Sequence, residues 1–261
     1  MPRRRLSWKL AAVFGLLVAL LAAATANGAL VIVNNIVLHA DGGFQPRQLP
    51  RQSYAPINFR GYFDIAARTG AKPPALRQAK IDFDRDGRLD VGGLPTCPPE
   101  RVANATTAEA RKVCGGALVG TGKVEAVVEL ADGPVPVSSP LTIFNGPRQN
   151  GNPTVVLHAR TREPAVQTIA ILAPIERRPG RFGYRVTLDF PPILEGLGAI
   201  TYVEADVGRK YKVGGVRHSY VSARCSDGIL NTHGRFTFEE GTVIDGSVEK
   251  ACTPILPAPG R

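Results

Sequence analysis

One stretch of the chain combines residue types and spacing that could do chemistry. Asp82-Phe83-Asp84-Arg85-Asp86-Gly87-Arg88-Leu89-Asp90 places acids at positions 1, 3, 5 and 9, Gly at 6 and an apolar residue at 8, as in the first nine positions of an EF-hand loop. Calcium is a hard cation that gathers several oxygens at short range, and acids at alternate positions can wrap round a point. Calcium held by Asp82, Asp84, Asp86 and Asp90 is therefore one expectation, and calcium is the one cofactor the sequence suggests. The stretch also departs from the pattern. Position 12, where a bidentate Glu belongs, is Gly93, and Pro73-Pro74 and Pro95 stand where helices would flank the loop. The other expectation is a plain β-hairpin. Ile81 and Phe83 would share a face with Leu89 and Val91, setting Phe83 opposite Leu89 and Asp84 opposite Arg88 across Arg85-Asp86-Gly87. Asp82 would then face Asp90, which is unfavourable unless the two splay into water or share a cation.

No other constellation carries chemistry as clearly. His39, His158, His218 and His233 are scattered and read as surface or packed side chains. Asp189, Glu195 and Glu204 fall near strand ends without a spacing that makes a carboxylate pair. There is no Gly-x-Ser-x-Gly elbow, phosphate loop or dinucleotide fingerprint. Gly120-Thr121-Gly122 reads as a place where a strand bends or meets a neighbour closely. Two basic clusters remain. Arg177, Arg178, Arg181 and Arg185 surround Pro179-Gly180, and Arg209, Lys210, Lys212 and Arg217 surround Tyr211 and Gly214-Gly215. Both fit solvated hairpin tips, and both fit sites for polyanions or sugars.

The elements that must position these residues follow from the setting of the chain. Arg3, Arg4, Arg5 and Lys9 precede an apolar run from Leu10 to Ala24, and Ala24-Thr25-Ala26 follows. A basic start, a short apolar stretch and small residues at the cleavage positions predict a signal peptide over 1–26. The apolar stretch is shorter than the roughly 20 residues a membrane helix needs. Ala29-Leu30-Val31-Ile32-Val33 follows closely, so an uncleaved N-terminal anchor is the alternative. Export makes Cys97, Cys114, Cys225 and Cys252 readable as two disulfides. Three pairings are open. The sequential one, Cys97 with Cys114 and Cys225 with Cys252, closes short loops. A four-thiolate zinc site would bring its cysteines in closer pairs.

The chain has 261 residues and a net charge of +10 at pH 7. With residues 1–26 set aside, 28 Lys and Arg face 22 Asp and Glu, so the surplus is modest and nucleic acid is not an expected partner. Gly 28 and Pro 22 are both high, which suits many short strands joined by turns. Strand-like runs occur at 30–39, 57–65, 79–83, 118–130, 135–144, 154–160, 168–175, 184–190, 199–207, 219–225, 235–239 and 242–249. They predict an all-β chain: one antiparallel β-sandwich or jelly roll of about a dozen strands over 27–261. Residues 46–56 read as an extended connection. Asn104 to Val113 has an Asn or Thr cap, Ala-rich content and a Gly115-Gly116 stop, so 97–116 reads as a helical excursion closed by a disulfide.

The order of several motifs resembles a known pattern. Gly93-Leu94-Pro95-Thr96-Cys97 leads to Cys114, then Leu118-Val119-Gly120-Thr121-Gly122, then Leu141-Thr142-Ile143-Phe144-Asn145-Gly146. Ser219-Tyr220-Val221-Ser222-Ala223-Arg224-Cys225 and Phe236-Thr237-Phe238 follow before Cys252. Over residues 75–252 this resembles an uncharacterised family of exported β-rich proteins of high-GC Gram-positive bacteria. The resemblance implies export and a β-rich body and transfers no functional residue. The expectation is a secreted or cell-envelope protein with a non-catalytic binding or structural role toward cell-wall polymer, carbohydrate or another envelope protein. A calcium-dependent adhesion module and a secreted hydrolase are the alternatives.

Overall fold

The computed structural model describes residues 28–255, and strands fill most of them. The signal peptide and the alternative of an anchor lie outside these residues. β1 (Ala29–Val33) and β2 (Ile36–Gln45) form a hairpin, followed by the short β3 (Gln48–Pro50) and β4 (Ala55–Pro56). Then come β5 (Asn58–Ala67), β6 (Leu76–Asp84) and β7 (Gly87–Leu89). Helix α1 (Thr107–Cys114) precedes β8 (Leu118–Leu130), β9 (Gly133–Gln149), β10 (Asn152–Thr161), β11 (Gln167–Arg177) and β12 (Phe182–Asp189). The remaining strands are β13 (Gly198–Val207), β14 (Lys210–Val213), β15 (Val216–Ser219), β16 (Val221–Ala223), β17 (Ile229–Phe238), β18 (Val243–Ala251) and β19 (Thr253–Ile255).

Twelve of these strands make one antiparallel sheet in the order β1-β2-β5-β13-β8-β9-β10-β11-β12-β6-β17-β18. The sheet folds over on itself, so the architecture is sandwich-like and all-β. Its two halves face each other across a shared core. Phe63 on β5 meets Phe236 on β17 edge to face at 5.1 Å between ring centres, and Phe59 meets Phe83 on β6 at 5.3 Å. Folding also brings the last strand beside the first. Gly246 on β18 lies against Ala29 and Val31 on β1, and Lys250 Nζ reaches Asp41 Oδ1 on β2 at 2.6 Å. No ladder joins β18 to β1, but just beyond them β19 pairs with β3, and the Thr253 N–H donates to the Arg47 carbonyl at 2.9 Å.

Local chemistry explains several connections. The single run expected over 30–39 divides at Asn34-Asn35, where Asn34 takes φ 55° and a two-residue turn sets Val33 opposite Ile36. Asn tolerates that left-handed conformation better than other side chains. Within β8, a Cβ on Gly122 would run into the Glu204 carbonyl of β13, so the glycine permits the close approach expected of it. Helix α1 starts with a reciprocal capping box. Thr106 Oγ1 accepts from the Glu109 N–H at 3.2 Å, and the Glu109 carboxylate accepts from the Thr106 N–H at 2.7 Å.

Both disulfides pair sequentially, Cys97 with Cys114 and Cys225 with Cys252. The first closes the loop that carries α1 and packs it on the outer face of β9 and β10, where Phe144 and Val156 are wholly buried with Val102, Ala110 and Ala117. His158 Nε2 meets the Ala105 carbonyl at 3.0 Å. A carbonyl only accepts, so this nitrogen carries the proton. Burial pushes the His158 imidazole pKa below its ordinary value.

The hairpin expected at 81–91 does not form. The chain turns at Arg85-Asp86, but the two strands part. β6 stays in the large sheet between β12 and β17, while β7 joins a three-stranded sheet with β16 and β4. Phe83 therefore pairs with Tyr184 and Thr232, and Leu89 pairs with Val221.

Candidate functional site: a cavity inside the folded sheet

Alternation along the strands decides which residues face inward. On β12 these are Tyr184, Val186 and Leu188; on β10, Val155 and Leu157; on β13, Val203, Ala205 and Val207. In a filled core, mid-strand residues of this kind are fully buried. Here Leu157, Val186 and Ala205 are only partly buried, although they lie in the middle of the sheet. The reason is a cavity of about 310 Å³ between the two halves. Ten of the twelve strands contribute to its wall, together with β7 and β16. A barrel of eight strands has just enough lumen for its own side chains or one small ligand, and the lumen widens with strand number. A twelve-stranded sheet folded on itself must flatten or leave space, and this one leaves space.

The wall is apolar apart from a few groups. Asp41 is matched by Lys250 across the seam. Asp84 accepts from the backbone N–H of Asn231 at 2.9 Å and from its Nδ2 at 3.2 Å. Arg88 lies over the ring of Tyr54 at 5.7 Å and is exposed. Tyr220 differs from all of these. It lines the cavity, it is 2% exposed, and its hydroxyl has no hydrogen-bond partner among the described residues. Burial pushes its phenol pKa far above its ordinary value, so it remains a neutral donor.

The four acids of the 82–90 stretch are drawn apart, each to its own partners. Asp82, on the outer face, takes a two-pronged contact from Arg185 of β12, with both N–O distances 2.7 Å. Asp84 is held by Asn231. Asp86, 1% exposed, accepts from Arg224 Nε and from the Ser226 N–H, each at 2.8 Å. Asp90 meets His218 Nδ1 at 3.0 Å and accepts from the Gly92 N–H at 3.0 Å. Burial pushes the Asp86 carboxyl up, and the bonds from Ser226 and Arg224 more than offset it, leaving it below its ordinary value. Asp90 behaves alike, with burial outweighed by His218 and the Gly92 N–H. Calcium needs carboxylates that converge, and among the described residues no three His, Cys, Asp or Glu side chains gather to hold an ion. The calcium expectation is corrected accordingly. Arginines and a histidine from more than 100 residues away, or one asparagine, hold the oxygens that the ion would have used.

The basic clusters sit on hairpins, as their Gly and Pro content suggested. Arg178 to Arg181 form the tip between β11 and β12. Gly214 and Gly215, at φ 56° and 84°, make the tip between β14 and β15, where Tyr211 stacks on His218. Neither cluster reaches the cavity, apart from Tyr220 following β15 directly. Among the described residues no helix is long and apolar enough to cross a membrane.

Comparison with known proteins finds no matching family model, no matching curated protein and no matching solved structure. The cavity and its wall are then what speak for function.

Proposed function

We propose that the protein binds a small apolar molecule of lipid type inside the folded sheet and acts as a non-catalytic carrier or receptor outside the cytoplasm. The cavity carries this reading. Its volume is about twice that of a 150 Å³ apolar cavity known to stay dry and take up benzene. It falls at the lower end of the roughly 300–1,000 Å³ typical of sites for small organic ligands. The wall offers few groups to bind water, and an apolar occupant would cover the apolar surface that faces this space. Binding is favoured over turnover because Asp41 and Asp84 already have partners and no nucleophile stands against a base on this wall among the described residues. The two disulfides suit an oxidising exterior, and export is part of the proposal.

Titration with the fluorescent probe N-phenyl-1-naphthylamine tests it. Saturable enhancement at one site is expected. Val186→Phe and Ala205→Phe, which fill the lumen, should abolish the signal while the circular dichroism spectrum is kept. No saturable binding, or binding untouched by both variants, overturns the reading.

A further inference from the structure

We propose that the β14–β15 hairpin docks the protein on the surface of a membrane containing anionic phospholipid. The proposal goes beyond the cavity reading and does not depend on it. The hairpin is a two-stranded sheet of its own, and its register sets Lys212 opposite Arg217 and Val213 opposite Val216. Side chains alternate along a strand, so Lys210, Lys212 and Arg217 share one side of the hairpin, and Val213 and Val216 share the other with Tyr211 and His218. The three cations are exposed and form no ion pair among the described residues. No acidic residue lies between Asp206 and Asp227. Like charges directly opposite across a ladder repel, and nothing on this segment offsets Lys212 against Arg217. An anion from outside does. The other basic tip, between β11 and β12, is different. There Arg181 engages Glu249 at 2.9 Å, Arg185 engages Asp82, and Arg177 lies over the Tyr184 ring at 5.3 Å.

The apolar side favours a membrane over a soluble polyanion. Val213 and Val216 flank Gly214-Gly215 at the tip and are 38% and 62% exposed. A phospholipid surface offers phosphates to the cations and an apolar layer just below them to the valines. A soluble polyanion offers only the first. The hairpin is already fixed for docking at its base. The Tyr211 ring stacks on His218 at 5.3 Å, the Tyr211 hydroxyl donates to the Asp90 carbonyl at 3.1 Å, and His218 Nδ1 meets the Asp90 carboxylate. That carboxylate is the one in contact with the hairpin among the described residues, and it lies at the base, away from the tip.

Sedimentation with vesicles of equal parts phosphatidylglycerol and phosphatidylcholine, against phosphatidylcholine alone, tests the proposal. Partitioning to the anionic vesicles should be about tenfold stronger and should weaken with added salt. Lys212→Gln with Arg217→Gln should weaken it about 25-fold, roughly fivefold for each charge. Val213→Ser with Val216→Ser should weaken it about tenfold, through the apolar contact alone. All four side chains are exposed, so both variants should melt within a few degrees of wild type. Amide exchange at 213–216 should slow on the anionic vesicles and stay unchanged on the neutral ones. No preference for anionic vesicles, or no slowing at 213–216, overturns the proposal. Undiminished partitioning of the charge variant places the contact elsewhere on the molecule and overturns it as well. Undiminished partitioning of the valine variant overturns the membrane as partner in favour of a soluble polyanion.

Discussion

β9 and β10 present two apolar faces that are treated in opposite ways. Outward, Phe144 and Val156 are wholly buried beneath α1 and the Cys97–Cys114 bridge. Inward, Ile143 and Leu157 border the cavity, and Leu157 keeps part of its surface uncovered. Residues adjacent in sequence, of similar type and in the same ladder, thus sit in a filled site and an unfilled one. What differs is what stands opposite: a disulfide-closed loop on one side and the other half of the same sheet on the other. A disulfide-tied loop can settle onto a sheet until contact is complete. Two halves of one sheet, linked through its own curvature, cannot close further without breaking ladders. The outer face serves cohesion, and the inner one keeps room.

Substitutions on the two faces should separate them, and the largest effect belongs to the outer one. Phe144→Ala should cost about 3–5 kcal/mol in urea unfolding, while Leu157→Ala should cost well under the ~2–5 kcal/mol of a packed leucine, because its site is already partly vacant. Equal losses would erase the distinction. Replacing Cys97 and Cys114 together by Ala should cost about 3 kcal/mol, the chain-entropy value for a loop of this length. It should loosen α1, read by faster amide exchange at Ala110, with little effect on probe binding. Adding bulk should give the same ranking of tolerance. Val156→Phe should lose about 1–3 kcal/mol by overpacking. Val186→Phe on the lumen side should leave the melting temperature within a few degrees of wild type.

The smallest expected effect is a pH dependence on the outer face. His158 is neutral in the fold with its pKa lowered by burial, so the unfolded chain binds the proton more readily. Its contribution is fully present above the ordinary value of 6.5 and is lost as pH falls below it toward the lowered folded value. Melting temperatures should be level from pH 7 to 8 and decline below about 6.5. The decline through that window should be absent in His158→Gln.

Strand positions were legible because alternation and turn chemistry are local. The disulfide pairing was legible because two short loops leave the rest of the chain uncrossed. The Asn34-Asn35 turn was missed, although a pair of Asn between β-branched residues is itself a turn signal. The acidic stretch misled for a different reason. Its spacing describes only its own neighbourhood, while Arg185, Arg224 and His218 arrive from distant strands and decide where each carboxylate goes. The cavity had no sequence signal at all. Leu157, Val186 and Ala205 carry the pattern of core residues, and alternation says which way a side chain points without saying what stands opposite. The orphaned hydroxyl of Tyr220 depends on that same missing dimension.

The contact between the terminal strands, described above as resting on Lys250 with Asp41 and on Gly246 with β1, has a mechanical meaning. Between the paired strands of the sheet, widening the interior means stretching rows of backbone hydrogen bonds. Between β18 and β1 it means parting the Lys250–Asp41 ion pair and the packing round Gly246, as far as the point where the β3–β19 ladder ties the same edges. The wall therefore has a zip rather than a weld, and that is where a bulky guest would find the least resistance.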